Sequence, residues 1–386
     1  MRLYLTALRP TDSVTDGFLP AAHALGCDVT ILTDRPEHHA ATGAEVLHCD
    51  VRDARAMIDI IAHHHTPDAV FSNSDHIQAE TALAAAYFGL PGKDWRACVA
   101  TKNKALTRRR LSAAGVETVR SVRLAPDDPV PPDPPFPAVV KPREGVASED
   151  VLLVRDVGEL AAAVRDIRGR RPGETLVVEE YLDGPLHTLE TVGDGEEVRV
   201  LGGFRTTLGP LPYFVEERLD WEGTPPAREH LLRALDALGV GFGACHTEYV
   251  MTPAGPRIIE VNYRVIGDHC DFLLGDLLGV PLFEHILGVH LGAALPEPGR
   301  AGGHGTALSL VADRPGTVAA SPGTVVPAAG DRVRLWHRPL RAVGDRIDLS
   351  HTNRDYLGVV RAIGPDRAGV DAAVDAFTAR HPWVIA

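Results

Sequence analysis

Glu248, Glu260 and Asn262 are the side chains whose types and spacing are best suited to chemistry in this chain. Residues 246–251 and 256–261 read as two strands joined by the turn Thr252-Pro253-Ala254-Gly255, a hairpin pattern. Residues 260 and 262 are two apart on a strand and share a face, and a hairpin brings Glu248 opposite them. Two carboxylates and an amide oxygen on one face suit a hard cation such as Mg2+ that also keeps phosphate ligands. Arg264 follows two residues later, where a guanidinium would neutralise charge developing on a transferring phosphoryl group. The plainer alternative is a pair of solvated acids. Against it, the flanks Tyr249-Val250-Met251 and Arg257-Ile258-Ile259 are core-like, so the charges interrupt strands that are otherwise apolar.

A second group starts at Lys141, at the end of the apolar run 138–140, followed by the loop Pro142-Arg143-Glu144-Gly145-Val146-Ala147-Ser148. An ammonium and loop N–H groups can surround phosphates, although no Walker A sequence is present. Lys-Pro after a strand also reads as an ordinary surface turn. Residues 179–184 end another apolar run and offer backbone groups to a purine, a weak signal alone. His63-His64-His65 ends a helix and reads as a solvated terminus, because adjacent residues do not share a helical face. Cys245 and His246 point to opposite faces of one strand, so the pair reads as packing. Arg108–Arg110 reads as a solvated helix face, with Arg108 free to brace a nucleotide.

The elements that must position these groups alternate at first. Strand signals at 3–8, 28–32, 46–49 and 68–71 are interleaved with helix signals at 17–25, 54–65 and 77–88, which predicts a parallel sheet with helices on both faces. Ligands in such sheets lie beyond the carboxyl ends of the strands, so the polar loop 73–75, and Asn73 in it, is a candidate substrate contact. Its bland reading is a solvated turn feeding a helix cap. A helix is predicted over 103–114. The segment 126–137 holds seven prolines and three aspartates and must be a loop. Strands are expected at 138–140, 151–154 and 176–178, a helix at 157–168, a hairpin pairing 186–192 with 198–204, and a helix at 228–238. Beyond about residue 300 short strands with Gly and Pro turns dominate, before a last helix at 369–379.

Composition narrows the function classes. The chain has 386 residues, with 39 Lys plus Arg against 52 Asp plus Glu, a net charge of −13. That balance disfavours nucleic acid and anionic membrane partners. No run approaches 18 apolar residues, so no membrane helix is expected. Five cysteines, odd in number and without CxxC spacing, predict reduced thiols and a cytoplasmic location. The opening lacks GxGxxG, which disfavours a nicotinamide dehydrogenase.

In their order these segments resemble the ATP-grasp superfamily of carboxylate–amine ligases. The resemblance is carried by Asn103-Lys104 with Arg108 and Gly115, Val139-Val140-Lys141-Pro142 with Gly145 and Ser148, Val178-Glu179-Glu180-Tyr181-Leu182-Asp183-Gly184, and His246-Thr247-Glu248 with Glu260-Val261-Asn262-Tyr263-Arg264. Within the superfamily it is most similar to the L-amino-acid ligase and carnosine-synthase-like branch, and the opening around 17–34 resembles members from siderophore and other secondary-metabolite pathways. The resemblance implies an α/β (α+β) chain: a Rossmann-like domain over 1–97, an ATP-grasp fold split into a lid part over 98–185 and a metal-binding part over 186–300, and a small α+β domain over 301–386. It implies ATP and Mg2+, with Mn2+ as an acceptable substitute, and small-molecule carboxylate and amine substrates. A homodimer is compatible with it. By position, Lys104 and Lys141 would hold phosphates, 145–148 would form a lid, and Glu179, Glu180, Tyr181 and Leu182 would line the adenine. Glu248, Glu260 and Asn262 would bind the metal, and Arg264 would steady an acyl phosphate. Leu186 stands where the family has an acid, which leaves Asp183 for the ribose. Gly267-Asp268-His269 replaces the usual Gly-Gly, putting an acid and an imidazole near the acyl centre: Asp268 and His269 read the substrate, or His269 takes a proton from the amine, or the two cap the next helix; His246 is a further candidate substrate contact. A carboxylase or nucleotide-pathway ligase of the same superfamily, and a non-catalytic ATP-binding module, are the competing readings.

Overall fold

The computed structural model describes residues 1–131 and 133–386, so Pro132 of the proline-rich stretch lies outside the described residues. The first sheet is parallel, with strands in the order Glu45–His48, Asp28–Thr33, Arg2–Thr6, Ala69–Phe71. Leu3, Tyr4 and Leu5 on its central strand are each 0% exposed, as expected for a strand covered on both faces. The helices Ala54–Ala62 and Gln78–Tyr87 close one of those faces through Met57, Ile61, Ala84 and Ala85. The helices Trp95–Lys102, capped by Asp94, and Leu282–His290 have no counterpart among the elements expected from the sequence.

A four-stranded antiparallel sheet follows, in the order Ser121–Leu124, Leu176–Glu180, Ala138–Pro142, Leu152–Val154. The helix Val157–Arg170 lies on it through Leu160, Ala163, Val164 and Ile167, the i, i+3, i+4, i+7 stripe of an amphipathic helix.

The largest sheet has eight antiparallel strands, in the order Gly255–Asn262, Phe242–Thr252, Leu186–Asp194, Val198–Leu208, Glu216–Gly223, His304–Val311, Tyr356–Gly364, Arg334–Pro339. The last three strands come from beyond residue 300, so that part of the chain extends this sheet. A separate small sheet there pairs Gly316–Ala320 with Arg346–Ile347 and Val384–Ile385. The helix Arg228–Leu238 covers part of the large sheet through Leu231, Ala234, Leu235 and Leu238. The helices Cys270–Leu278 and Leu282–His290 share one core with Phe204, Leu219 and Ala307 of the large sheet and with Leu3, Leu5 and Phe18 of the parallel sheet and its helices. Gly17 sits under the Phe283 ring, where an added Cβ would lie 2.6 Å from a ring carbon, so only glycine permits this approach. Both helices are apolar, but they meet at 99° and no single helix among the described residues is long and apolar enough to cross a membrane.

Candidate active site

The hairpin register places Glu248 directly opposite Glu260 and His246 opposite Asn262. The neighbouring strand adds Glu190 opposite His246. His246 Nδ1 lies 2.8 Å from Glu190 Oε1, its Nε2 lies 3.4 Å from Glu248 Oε1, and Asn262 Nδ2 donates to the same Glu248 oxygen at 3.4 Å. Burial works against a charged imidazole, but the two carboxylates outweigh it and push His246 up to about 10. Burial likewise opposes ionisation of Glu248, and the adjoining His246 still holds its carboxyl below the usual range. The row is therefore a cation fixed between two anions.

A cavity of about 360 Å3 opens over this row, lined by the hairpin, the four-stranded sheet and strands from beyond residue 300. Lys104, Lys141, Gly145, Ser148, Glu179, Glu180, Tyr181, Leu182, His246, Glu248, Glu260, Asn262, Arg264 and Asp268 all reach it. Asp183 is exposed and lies outside the lining, between Leu182 and Gly184, which both line the cavity. Lys104 Nζ sits 2.8 Å from Glu260 Oε1 and donates to the Gly145 carbonyl at 3.1 Å. Lys141 Nζ sits 2.9 Å from Glu179 Oε2. Both lysines thus line the cavity while paired to carboxylates that an anionic ligand would have to outcompete.

Glu179 is held by its side chain in a buried ion-pair network. Arg108 grips it through Nε at 2.9 Å and Nη2 at 3.0 Å. Arg108 itself is 7% exposed and also faces Glu117, which corrects the solvated-face reading and its offered contact with a nucleotide: acids from two other segments draw the guanidinium inward. Burial raises the Glu179 carboxyl, but Arg108 and Lys141 reverse this and hold it far below the ordinary range. Its stabilising contribution is therefore complete above the unfolded carboxylate range and fades as pH falls below it. Glu179→Gln is expected to lower unfolding free energy by about 3–5 kcal/mol, the usual cost of breaking a buried pair. Urea melts should show a constant deficit from pH 8 to about 5, shrinking at lower pH as the wild type loses the same charge.

The loop 145–150 holds three non-glycine residues in the left-handed region, Ala147 (φ 56°), Ser148 (φ 55°) and Asp150 (φ 58°). Such strain persists only where the surroundings enforce it. Here Ser148 Oγ donates to the Phe214 carbonyl at 2.7 Å, Asn353 N donates to the Ala147 carbonyl at 3.1 Å, and Glu149 pairs with Arg354. The Ser148 hydroxyl, in the segment expected as a lid, is thus turned to main chain. Asn353 also exchanges hydrogen bonds with Glu216, at 3.1 and 3.2 Å. Glu216 stands in the cavity wall, where burial and the adjoining Glu248 push it up to about 8.

Arg264 lies where this cavity meets a second one of about 580 Å3, beyond the carboxyl ends of the parallel strands. Asp75 accepts from its Nε at 2.8 Å, its Nη2 lies 2.7 Å from the same carboxylate oxygen, and the Val265 carbonyl accepts from Nη1 at 2.9 Å. The loop 73–75 therefore reaches the site, Asp75 in both cavities and Asn73 in the second only. Asp268 lines both cavities, whereas His269 lines only the second. His269 Nε2 lies 2.8 Å from Asp12 Oδ2, so its side chain makes a dyad and leaves the helix that follows uncapped by it.

Glu190, Glu216, Asn353 and the Asp75 contact are absent from the sequence-derived set. Glu190 lies within the predicted strand 186–192, where alternation alone would have set its face. Glu216 and Asn353 lie 137 residues apart and carried none.

Among the described residues no cluster of three His, Cys, Asp or Glu side chains is arranged around a metal. The donor set that does face the cavity, two opposed carboxylates and an amide with Lys104, Lys141 and Arg264 around them, fits a hard cation shared with phosphate oxygens. Val139, Tyr181, Leu182 and Ile259 supply apolar walls for a planar base.

No protein-family model matches the chain. It is 30% identical over 409 residues to the uncharacterized protein y4rH of Sinorhizobium fredii, covering 100% of this chain and 84% of that one. It is 28% identical to carnosine synthase 1 of Gallus gallus over 64% of this chain, and spans only 30% of that protein's length. The crystal structure of L-amino acid ligase from Bacillus licheniformis superposes with a TM-score of 0.82 at 20% identity, covering 100% of this chain and 98% of the other.

Proposed function

Because the chain belongs to the ATP-grasp family of carboxylate–amine ligases, we propose that it joins a small carboxylate to a small amine through an acyl phosphate, releasing ADP and phosphate. The observation that carries this reading is the opposition of Glu248 to Glu260 beside Asn262, with Arg264 at the mouth of a second chamber. Bound MgATP would supply the transferable phosphoryl group, with Glu248, Glu260 and Asn262 as metal ligands and Lys104 and Lys141 at the phosphates. His246, kept cationic, fixes the ionised Glu248. A substrate carboxylate oxygen forms its bond to phosphorus as the bond to the ADP oxygen breaks. The amine then attacks the acyl carbon and phosphate departs. Arg264 faces both events, and its guanidinium has N–H groups beyond those hydrogen-bonded to Asp75 and Val265 to offer them.

His269 is proposed as the acceptor of the amine proton. Asp12 orients its ring, and His269 lines the second chamber together with Arg264, which supports that role. Amino acids and small carboxylates of natural-product routes, siderophore pathways included, are the proposed substrates, supported by the similarity to carnosine synthase and by the opening residues 17–34. The test is an ADP-release screen over pairs of carboxylates and amines. ADP should form only when both partners are present, with a product mass equal to their sum less one water. ADP release with no condensed product from any pair would overturn the assignment.

A further inference from the structure

We propose that Lys93 is a positioning residue for the reaction: from beneath the site it sets the two main-chain segments that hold Asp75 and Arg264 against each other. The inference rests on the role given to Arg264 above and adds a residue that touches neither cavity. Lys93 lies between the helices Gln78–Tyr87 and Trp95–Lys102 and is 8% exposed. Its ammonium donates to the Tyr263 carbonyl at 2.5 Å and to Gln78 Oε1 at 2.7 Å. Tyr263 immediately precedes Arg264. The Gln78 amide nitrogen donates in turn to the Ser72 carbonyl at 2.9 Å and the Ser74 carbonyl at 3.1 Å, both in the loop that carries Asp75. The circuit closes where Asp75 meets Arg264. One buried ammonium and one amide therefore fix the spacing of two segments 189 residues apart in sequence.

The surroundings argue that this charge is kept for a purpose other than packing. Among the described residues no carboxylate pairs with Lys93. The Tyr263 ring lies under the ammonium, 4.7 Å from its centroid. His290 stands close by, since both its ring and the Lys93 side chain bound the space beside Gly243, and neither of its ring nitrogens has a partner. Burial lowers Lys93 to about 8, and lowers His290 to about 3, so the neighbouring imidazole stays neutral and adds no second positive charge. A buried charge without a counter-ion costs stability that an apolar side chain of like size would not. Hydrogen bonds to two carbonyl-type oxygens that lead directly to the Asp75–Arg264 pair are what the lysine gains in return. Misplacement of reacting groups by about an ångström from a change outside the chemistry costs up to roughly 10²-fold in rate.

The experiment uses the full chain and the substrate pair found by ADP release. Lys93→Met should lower kcat about tenfold with the ATP Kd, measured calorimetrically, within twofold of wild type. In an Asp75→Asn background the same change should cost less than twofold, because the pair it positions is already broken. Gln78→Leu, which leaves the Lys93–Tyr263 bond in place, should show the same non-additivity and serves if Lys93→Met does not fold. Equal losses in both backgrounds, or an ATP Kd that weakens as much as kcat falls, would overturn the proposal. If Arg264→Met leaves kcat intact, the failure lies with the role of Arg264; if Arg264→Met is severe and Lys93→Met is silent, it lies with Lys93 alone.

Discussion

Glu260→Gln should cut turnover roughly 10³-fold or more while leaving the fold in place. The scale follows from comparison: removing a group that merely supports a metal ligand costs about 10–100-fold, and Glu260 is proposed as a ligand itself. The exchange keeps shape and removes charge. The backbone ladder that fixes position 260 opposite Glu248 does not involve the side chain, so the hairpin should stay in register. Lys104 loses its 2.8 Å carboxylate partner but keeps the Gly145 carbonyl at 3.1 Å. Circular dichroism and a thermal melt should therefore resemble wild type, while the Mg2+ concentration needed for half-maximal ADP formation rises steeply. Near-wild-type turnover at ordinary Mg2+ would show that the two opposed acids have no part in catalysis.

Arg264→Met should lower kcat by roughly 10²–10³-fold, the loss typical of removing one donor to developing charge, with ATP affinity within about twofold. An interaction made only as charge develops appears in kcat and spares the ground state. Lysine at this position should recover part of the rate. It keeps a charge but cannot engage Asp75 through two nitrogens and also face the cavity, as the guanidinium fork does. Single-turnover rates beside calorimetric ATP binding separate the possibilities. If affinity falls in step with the rate, Arg264 binds the ground state and its catalytic assignment fails.

The parts of this site legible in the sequence are those set by local periodicity. The alternation over the first ninety or so residues specifies a parallel sheet, and period two on a hairpin puts Glu248, Glu260 and Asn262 on one face without any tertiary knowledge. What local pattern cannot carry is long-range pairing. Arg264 and Asp75 are 189 residues apart, and His269 and Asp12 are 257 apart. The loop 73–75 was readable as a place where ligands gather, but nothing local says that Asp75 turns to Arg264 while Asn73 stays in the outer chamber. Arg108 reads as surface because three successive arginines on a helix usually are; buried acids contributed by Glu117 and Glu179 override that preference. The helix Trp95–Lys102 buries only Ala97, Cys98, Ala100 and Thr101, side chains too small to mark an apolar stripe. The continuation of the large sheet beyond residue 300 depends on pairing Glu216–Gly223 with His304–Val311, a register set by tertiary packing.

The central claim is that a substrate carboxylate becomes an acyl phosphate over the Glu248–Glu260 pair, and its most direct test follows an oxygen atom. With the carboxylate substrate labelled with 18O, each turnover should transfer one labelled oxygen to inorganic phosphate, read by mass or by the 31P isotope shift, with ADP as the nucleotide product. Label recovered in AMP, with pyrophosphate released, would contradict the account.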